Sequence, residues 1–570
     1  MGRHAPLTAL RVCVAALRAC VAALCACVAL AAAGGVWADE AADRKAALAR
    51  KRDVMYYATG YDPCYWPKGT PYSQAAFWNI RLNALLKTPA PIDTLVYAPV
   101  GAFAHLSAKI PSATMPTAQP SEESNWMRGV RNAIPDFVKA GTDPLKEAIA
   151  WARKNKKEFI AALPVNMSEH GAKGKGKAVV WDNYFWSPWK DRHPGDLMAD
   201  AGDAGHPPYA SPTAVDYGKA SVRTAFAAVA KEIAEGYDID GLLIDYMTVP
   251  TIFRTVAWGE KAGTKEWQAL TDMMARIRAS VNAAGAKRGR PILLAVRVPD
   301  SLPFCRSIGI DLQAWMDQKL VDFIVSGGPM ELSPYSHMAE ITKKSGIPFY
   351  PCFDESGIWV GNDSGYQNDD ERPTLRRHAP ETFRARLQEA AVAGAAGVMY
   401  HNPYHWIRYG LHCVCGGPKD VATANKRYHV CYRNNGAAGA VLKDGQKLAT
   451  REQLLSGAPY DLKGAPAKFG VYVWDDLKKH TPRRVIVTTE ASVPSGIQTT
   501  VTVNGRAVKL IRKIAGSQQY ELPVSALKYG RNEVIVKATG KNRRGRTAKL
   551  GNIAIDVIYT EAQKKEGGAK

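Results

Sequence analysis

The sequence lacks the short motifs that identify several large classes of enzyme. It contains no Gly-x-Ser-x-Gly nucleophile elbow, no His-Glu-x-x-His zinc motif and no glycine-rich phosphate-binding loop. Its first predicted strand reads Tyr56-Tyr57-Ala58, at the place where metal-dependent amidohydrolase barrels carry His-x-His. These absences weigh against serine esterases, zinc peptidases, nucleotide-dependent enzymes and amidohydrolases. We expect no obligatory cofactor.

Acidic residues are scarce relative to basic ones. The 570 residues include 75 Lys and Arg against 53 Asp and Glu, which gives a formal net charge of +22. A chain this basic favours an anionic partner. Because the N-terminal segment predicts export, an acidic or sulfated polysaccharide fits better than nucleic acid. The alternative is a basic, solvated exterior without a specific partner.

Long apolar runs are confined to the N-terminus. Arginines precede an apolar stretch over 19–35, and the small-residue sequence Val36-Trp37-Ala38 follows it. This is the pattern of a signal peptide over 1–38, which predicts a periplasmic or extracellular protein. The stretch is shorter than a usual membrane span, and we expect no integral membrane segment after it. Cys27 offers the alternative of a lipoprotein signal.

Cysteine is scarce in the body of the chain. Those that follow the predicted signal stand at positions 64, 305, 352, 413, 415 and 431. An oxidising compartment permits disulfides, and closeness in sequence favours a pair between Cys431 and either Cys413 or Cys415. The Cys-x-Cys pair with its neighbouring cysteine could instead bind zinc, but that signal lacks the second tight pair of a typical zinc site.

Eight strand-like runs alternate with helical patterns after the signal. They are predicted over 53–58, 94–100, 158–165, 241–246, 291–298, 322–326, 347–353 and 396–401. Strand and helix repeated eight times predict an α/β fold, a parallel (β/α)8 TIM barrel over 39–440. A doubly wound open sheet is the alternative, and the count of eight and the missing phosphate fingerprint argue against it.

The pattern changes after a polar linker over 441–465. Short alternating segments are predicted over 468–473, 484–489, 498–503, 533–538 and 552–559. Asn504-Gly505 is a hairpin signal. These features predict a small all-β sandwich over 466–560, an accessory domain that could bind glycan. We expect the tail over 561–570 to be disordered.

The stretch around residue 245 combines a buried strand with a carboxylate at its end. Asp240-Gly241 introduces a run of Leu and Ile that ends at Asp245. In a parallel barrel, the C-terminal ends of the strands form the face that carries catalytic residues. Asp245 is therefore a candidate catalytic carboxylate. The alternative is a strand-end cap paired with an arginine.

Other strand ends bring acids and polar groups to the same face. Asp354 and Glu355 follow the seventh strand, across the barrel mouth from the fourth. Glycoside hydrolysis needs two carboxylates that flank the scissile bond, so we predict Asp245 as nucleophile or base and Glu355 or Asp354 as general acid. The predicted substrate-binding residues are Tyr57, Asn166, His170, Trp186, Arg297, Tyr400, His401 and Asn402.

Two of these assignments have a specific chemical reason. Arg297 could hold Asp245 ionised, or bind a sulfate or carboxylate of the substrate. Trp186 lies in an aromatic-rich loop after the third strand, and exposed aromatic rings stack on the C–H faces of sugars. A small hydrophobic core that holds this loop together is the alternative.

Three stretches of the predicted barrel resemble a known family. They are Tyr237–Tyr246 (YDIDGLLIDY), Val215-Asp216-Tyr217 with Val222-Arg223, and Gly309-Ile310-Asp311 ahead of Trp315 and of Leu320-Val321-Asp322. With them, the region from 53 to 404 resembles the family-10-like glycosyl-hydrolase-like TIM-barrel proteins that bacteria export. The resemblance implies glycan hydrolysis, with Asp245 at the matching acidic position. The ends of the first and third strands, 58–62 and 164–166, depart from the family pattern.

Together these features predict an exported glycoside hydrolase that acts on an anionic or sulfated polysaccharide by a two-carboxylate mechanism. A non-catalytic glycan-binding protein on the same fold is the alternative. The separation of the two carboxylates discriminates between them, at about 5–5.5 Å for a retaining and about 6.5–9.5 Å for an inverting hydrolase.

Overall fold

A computed structural model describes residues 41–60, 63, 66–86, 92–98, 129–166, 188–199, 205–328, 330–354, 380–401, 421–431, 436–452, 459–463, 465–514 and 516–560. The predicted signal peptide, the predicted disordered tail, and Cys64, Cys413 and Cys415 lie outside these ranges. Within them, no helix combines the length and apolar character needed to cross a membrane.

Eight parallel strands close into a barrel in the order in which they occur along the chain. The sequence-based prediction of a TIM barrel is confirmed, and the observed strand ends lie within two residues of the predicted ones. Closure is complete because Tyr57 on the first strand pairs with His401 on the last. We number the strands β1 Val54–Thr59, β2 Thr94–Ala98, β3 Glu158–Pro164, β4 Gly241–Asp245, β5 Leu293–Val298, β6 Phe323–Ser326, β7 Phe349–Asp354 and β8 Val398–His401.

Helices connect the strands and surround the barrel. The helix over 144–154 begins as predicted, since the Asp143 carboxylate accepts a hydrogen bond from the Lys146 backbone N–H. The described helices are 41–48, Gln74–Phe77 with the π-helical turn Trp78–Leu82 and Asn83–Leu86, Ile134–Lys139, Pro144–Lys154, Pro188–Arg192, Ala220–Gly236, Arg254–Ala257, Thr264–Arg288, Leu302–Ser307, Leu312–Asp317, Tyr335–Lys344, Pro380–Ala393 and Gly436–Val441.

Strand residues alternate between the inside and the outside of the barrel, so the barrel has two apolar layers. Leu243 and Ala295 belong to the cluster that fills the interior. Leu242 and Ile244, one position away on β4, belong to the larger cluster between the strands and the helices. Because Asp245 follows Leu243 by two residues, the same alternation turns it inward at the C-terminal end.

The C-terminal region forms two antiparallel sheets around one apolar core, and the predicted sandwich is confirmed. One sheet has the order β9-β18-β12-β16-β15 with β10 beside β18, and the other has the order β11-β17-β13-β14. The strands are β9 Lys426–Cys431, β10 Tyr460–Asp461, β11 Ala467–Val473, β12 Arg484–Ser492, β13 Ile497–Val503, β14 Arg506–Ala507, β15 Lys509–Ile514, β16 Ser517–Leu522, β17 Gly530–Gly540 and β18 Lys549–Ile558.

The predicted hairpin after β13 is also present. Asn504 has φ of 51° and Gly505 has φ of 80°, and these positive angles are those that a two-residue type I′ turn requires.

The two domains interleave along the chain. β9 pairs with β18, so residues 426–431 belong to the sandwich sheet, although the sequence-based boundary at residue 440 places them with the barrel. The chain then returns, because Ala438 and Leu442 pack in the larger barrel cluster. Beyond them, the Thr450 backbone N–H donates to the Leu332 carbonyl at 2.7 Å.

Arginines of the segment that precedes β1 close the N-terminal end of the barrel. The Arg52 side chain is fully buried, and its Nη2 lies 2.7 Å from Oε1 of Glu158 at the start of β3. Arg44 likewise lies 3.0 Å from Asp322, which precedes β6. Loss of one partner of a buried pair leaves the other charge uncompensated and costs several kcal/mol.

Replacement of Arg52 by Met should therefore lower the free energy of unfolding by up to about 3–5 kcal/mol, because the buried Glu158 would keep only the Thr94 hydroxyl at 2.8 Å and the half-exposed Arg50 at 3.7 Å. Lys51→Met is the matched control, since the Lys51 side chain is 66% exposed and exposed pairs contribute at most about 1 kcal/mol. Urea denaturation followed by tryptophan fluorescence measures both variants. Equal losses would contradict this role of Arg52.

Candidate active site

A group of polar side chains lies at the C-terminal end of the barrel interior. It consists of Tyr57 on β1, Asp245 on β4, Arg297 on β5 and His401 on β8, and we call it the mouth cluster. Asp245 is paired with Arg297 across β4 and β5, and Tyr57 is paired with His401 across β1 and β8. Four residues far apart in the sequence meet here because the barrel closes.

Asp245 is the centre of the mouth cluster. Its Oδ2 accepts hydrogen bonds from the Tyr57 hydroxyl at 2.8 Å and from the Thr248 hydroxyl at 2.9 Å. The Nη1 of Arg297 lies 3.3 Å from the same oxygen. Oδ1 accepts from the Met247 backbone N–H at 2.8 Å. Asp245 is 0% exposed, so these contacts fix its carboxylate rigidly.

The surroundings of Asp245 keep it ionised. Burial alone would raise the pKa of its carboxyl group, but Arg297 and His401 oppose burial electrostatically, and the donors from Met247 and Tyr57 favour the charged form. The net result is a pKa below the usual value for aspartate. At neutral pH this group can act as a base, a nucleophile or a fixed negative charge, and it has no proton to donate.

Arg297 is held by the backbone that follows β6. It is 1% exposed, and its Nε donates to the Gly327 carbonyl at 3.3 Å. Gly327 and Gly328 both have positive φ, at 85° and 146°. A Cβ at Gly328 would overlap with Nη2 of Arg297. Glycine is needed here so that the chain can lie directly against the guanidinium group.

The Tyr57 ring connects the remaining members of the mouth cluster. Its centroid is 4.7 Å from that of the His401 ring and 5.6 Å from Cζ of Arg297. The predictions for Tyr57, Arg297 and His401 therefore concern residues that the structure brings together around Asp245. Contact with a substrate remains a prediction for all three.

Asn166 is placed as a brace. It is buried, its side-chain amide donates to the Val215 carbonyl at 3.2 Å, and its side-chain oxygen accepts from the Val215 backbone N–H at 3.1 Å. These contacts tie the end of β3 to the segment before the helix Ala220–Gly236. A role in substrate binding remains a prediction.

Tyr400 lies on a different face of β8 from the mouth cluster. This residue faces the opposite side of β8 from His401, because neighbours on a strand point to opposite faces. Its ring packs against Phe353 and Phe383 at centroid distances of 5.5 Å and 6.5 Å. Tyr400 therefore belongs to the layer between the barrel and the helices, and a role in substrate binding remains a prediction.

Several predicted site residues fall outside the described ranges. They are His170, Trp186, Glu355 and Asn402. Asp354 is the last residue of β7, and its backbone is paired with that of His401, so its position in the chain adjoins the mouth cluster. The separation of the two predicted catalytic carboxylates remains a prediction.

Sequence reasoning missed Thr248 as a partner of Asp245. The sequence does carry a signal for this contact, because Thr248 lies three residues after an aspartate at a strand end. An aspartate in that position commonly forms a local turn with the backbone that follows it. That turn is present, because Oδ1 of Asp245 accepts from Met247 two residues later.

Another buried carboxyl group follows β5. Asp300 accepts hydrogen bonds from the backbone N–H groups of Leu332 and Ser333, which places it as a brace for the segment after β6. Burial raises its pKa to about 7, against the opposing effect of these donors.

The described part of the chain contains no group of three or more His, Cys, Asp or Glu side chains placed to hold a metal ion. Cys305 and Cys352 are both buried. The zinc and disulfide alternatives for Cys431 both require Cys413 or Cys415, which lie outside the described residues.

The chain has the fold of a (β/α)8 TIM barrel, with an ionised carboxylate at the mouth of the barrel. No protein-family model matches the chain, and no curated protein sequence matches it. The family-10-like resemblance therefore remains a prediction.

Solved structures with some similarity to the chain include a glycoside hydrolase domain and chitinases. The glycoside hydrolase domain of PgaB (BpsB) from Bordetella bronchiseptica aligns with 12% identity and a TM-score of 0.38, over 64% of this chain and 99% of that one. Chitinase ChiW from Paenibacillus aligns with 12% identity and a TM-score of 0.36, over 86% and 52%. A GH18 chitinase from Cycas revoluta aligns with 13% identity and a TM-score of 0.34, over 63% and 98%. At these values the function of this chain has to be inferred from its own side chains.

Replacement of Gly328 by Ala should destabilise the mouth cluster. The new Cβ would have to displace the guanidinium of Arg297 in addition to adopting an unfavourable φ, and we expect a loss of about 1–3 kcal/mol in the free energy of unfolding beyond that of the control. Gly205→Ala is the control, because Gly205 has φ of +123°, in a similarly unfavourable range, and nothing lies within 4 Å of an added Cβ. Urea denaturation of the two variants gives the comparison, and equal losses would exclude the close contact with Arg297.

Proposed function

We propose that this chain is a glycoside hydrolase that acts on a polysaccharide at the mouth of its barrel. The observation that carries the proposal is the ionised, buried Asp245 at the C-terminal end of β4, surrounded by side chains from other strands. Barrel enzymes hold their catalytic groups at this face, and two-carboxylate glycoside hydrolysis requires one carboxylate that is ionised in the resting enzyme.

The contacts of Asp245 favour one of its two oxygens as the reacting atom. Oδ2 is surrounded by Tyr57, Thr248 and Arg297, whereas the described contacts of Oδ1 include a single donor, the Met247 backbone N–H. A carboxylate oxygen has two acceptor positions. Oδ1 therefore has capacity for the anomeric carbon of a sugar or for an attacking water, and Oδ2 anchors the group.

Asp354 or Glu355 supplies the general acid in this proposal. β7, which ends at Asp354, is adjacent to β8, and His401 on β8 contacts the Tyr57 ring. The lowered pKa of Asp245 supports a role as base or nucleophile, and in this proposal the proton comes from a second group with a higher pKa.

The substrate that fits the charge of the chain is an anionic polysaccharide. A formal net charge of +22 attracts polyanions over distances set by the ionic strength. Export to the periplasm or the cell exterior, where such polymers occur, is part of the proposal.

A non-catalytic glycan-binding protein is the second candidate. The observation that favours it is the complete burial of Asp245 together with three donors around one of its oxygens. This arrangement also suits a carboxylate whose only role is to hold neighbouring side chains in place.

Replacement of Asp245 by Asn should lower the rate of polysaccharide hydrolysis by about 10²–10⁴-fold, because the variant lacks the ionised oxygen. Reducing-sugar release from sulfated, uronic and neutral polysaccharides measures the effect. Asp317→Asn, on an exposed residue, should retain the rate of the unaltered protein. Activity that survives Asp245→Asn would place the chemistry elsewhere, and glycan binding without any release would favour the second candidate.

Replacement of Tyr57 by Phe should shift the pH dependence. The Tyr57 hydroxyl stabilises the charged form of Asp245, so its removal raises the pKa of Asp245. The low-pH limb of the activity profile should move to higher pH, and the rate on the high-pH side should change less than in Asp245→Asn. Rates measured across pH 3–9 test this, and an acid limb that stays in place would contradict the role of the hydroxyl.

A further inference from the structure

A second polar cleft lies on the same face of the barrel as the mouth cluster. It opens between the N-terminal ends of the helices Ala220–Gly236 and Thr264–Arg288, which come after β3 and β4, and it has a volume of about 700 Å³. This volume is within the usual range for ligand sites. We call it the cationic cleft, because its lining includes Lys219, Arg223, Arg254 and Lys265, together with Trp258.

Three carboxylates also line the cationic cleft, namely Asp216, Glu260 and Glu266. Glu260 is exposed, and the other two accept hydrogen bonds from the protein itself. Asp216 accepts from the backbone N–H groups of Gly218 at 2.8 Å and Arg254 at 3.0 Å. Glu266 accepts from the Gly263 backbone N–H at 2.9 Å and from a threonine hydroxyl at 3.1 Å. These acids order the segments that form the walls.

Arg223 is the cation in the cleft lining whose contacts most favour an anionic ligand. Its Nη1 donates to the Tyr217 carbonyl, a neutral acceptor, at 2.7 Å. Its Nε is buried and donates to no acceptor within the described residues. Burial and the neighbouring Arg276 lower the pKa of Arg223, which indicates a site that would gain from a bound negative charge.

Trp258 adds a flat apolar surface beside these cations. It is 37% exposed, and its Nε1 donates to the Met198 carbonyl at 3.0 Å. The guanidinium of Arg254 lies 5.7 Å from its ring centre, so the ring is held in place while part of it remains open to solvent. An aromatic surface next to positive charges matches a sugar ring that carries an acidic substituent.

The cleft is physically connected to the mouth cluster. The Tyr217 hydroxyl donates to the Val165 carbonyl at 2.6 Å, directly after β3. On the other wall, the segment from Asp245 to Arg254 runs from the mouth to the cleft. The backbone therefore links the two sites at the same end of the barrel.

We propose that the cationic cleft is a subsite for the acidic groups of a polysaccharide, either sulfate esters or carboxylates. Arg223 binds the anionic group, Lys219 and Lys265 contribute positive potential, and Trp258 stacks on an adjacent sugar ring. The inference rests on the proposed function only in taking a glycan as the ligand, and it specifies the chemistry of that glycan.

Binding of the full chain to dextran sulfate, polygalacturonate and neutral dextran, measured by titration calorimetry at 0.15 M salt, tests the proposal. Arg223→Gln should weaken binding of at least one acidic polymer by about tenfold or more, as expected for the loss of a charge-assisted hydrogen bond. Trp258→Ala should also weaken it, and Arg223→Lys should restore part of the affinity. A preference for dextran sulfate identifies the group as sulfate, and a preference for polygalacturonate identifies it as carboxylate.

Lys231→Gln is the matched control. Lys231 is on the same helix as Arg223, is 55% exposed and lies 3.9 Å from Glu235, so the variant removes one positive charge away from the cleft. Equal weakening by Arg223→Gln and Lys231→Gln would show that only the net charge matters and would overturn the proposal. Affinity for neutral dextran equal to that for both acidic polymers would overturn it as well.

The two proposals fail in different ways. If Asp245→Asn abolishes hydrolysis while Arg223→Gln binds acidic polymers normally, the cleft assignment is wrong and the hydrolase assignment stands. If no hydrolysis occurs but binding depends on Arg223, the cleft assignment stands and the hydrolase assignment is wrong.

Discussion

The buried ion pair between Asp245 and Arg297 is the interaction on which the mouth of the barrel depends. The two residues face each other across β4 and β5, with 3.3 Å between Nη1 and Oδ2. Neither charged group is stabilised by water, so each depends on the other to remain ionised. The pair also explains features at a distance from it, since Gly328 must lack a side chain to accommodate Arg297 and Tyr57 must direct its hydroxyl towards Asp245.

Much of the barrel could be predicted from sequence because its signals are local. The runs of Leu, Ile, Val and Ala that form the strands are bounded by turns, and each strand is followed by a helical pattern, so eight strands were located within two residues of their observed ends. The site was less predictable, because the face on which a side chain lies changes with every residue of a strand. Tyr400 and His401 are adjacent in sequence, yet one packs under the helices and the other joins the mouth cluster. The strand β9 was missed for a related reason. Its buried face consists of Lys426, Tyr428 and Val430, so only two apolar residues mark it in the sequence.

Arginine side chains have different roles at the two ends of the barrel. At the N-terminal end of the barrel, Arg44 and Arg52 pair with carboxylates at the starts of strands and stabilise the fold. At the C-terminal end, Arg297 sets the ionisation of Asp245, and Arg223 contacts a neutral carbonyl next to an open cleft. Carboxylates compensate the charges of Arg44 and Arg52, whereas the neutral carbonyl that Arg223 contacts leaves its charge available for a ligand. This division connects the composition of the chain with the proposal that it acts on an acidic polymer.

A crystal structure of the full chain with a bound acidic oligosaccharide would test the central claim most directly. The account predicts that the anomeric carbon of one sugar lies either about 3–3.5 Å from Oδ1 of Asp245 or one water molecule away from it, with Tyr57 and Arg297 still in contact with Oδ2. A sugar bound with its anomeric carbon far from Asp245, and with Oδ1 enclosed by protein alone, would contradict the account and assign Asp245 a structural role.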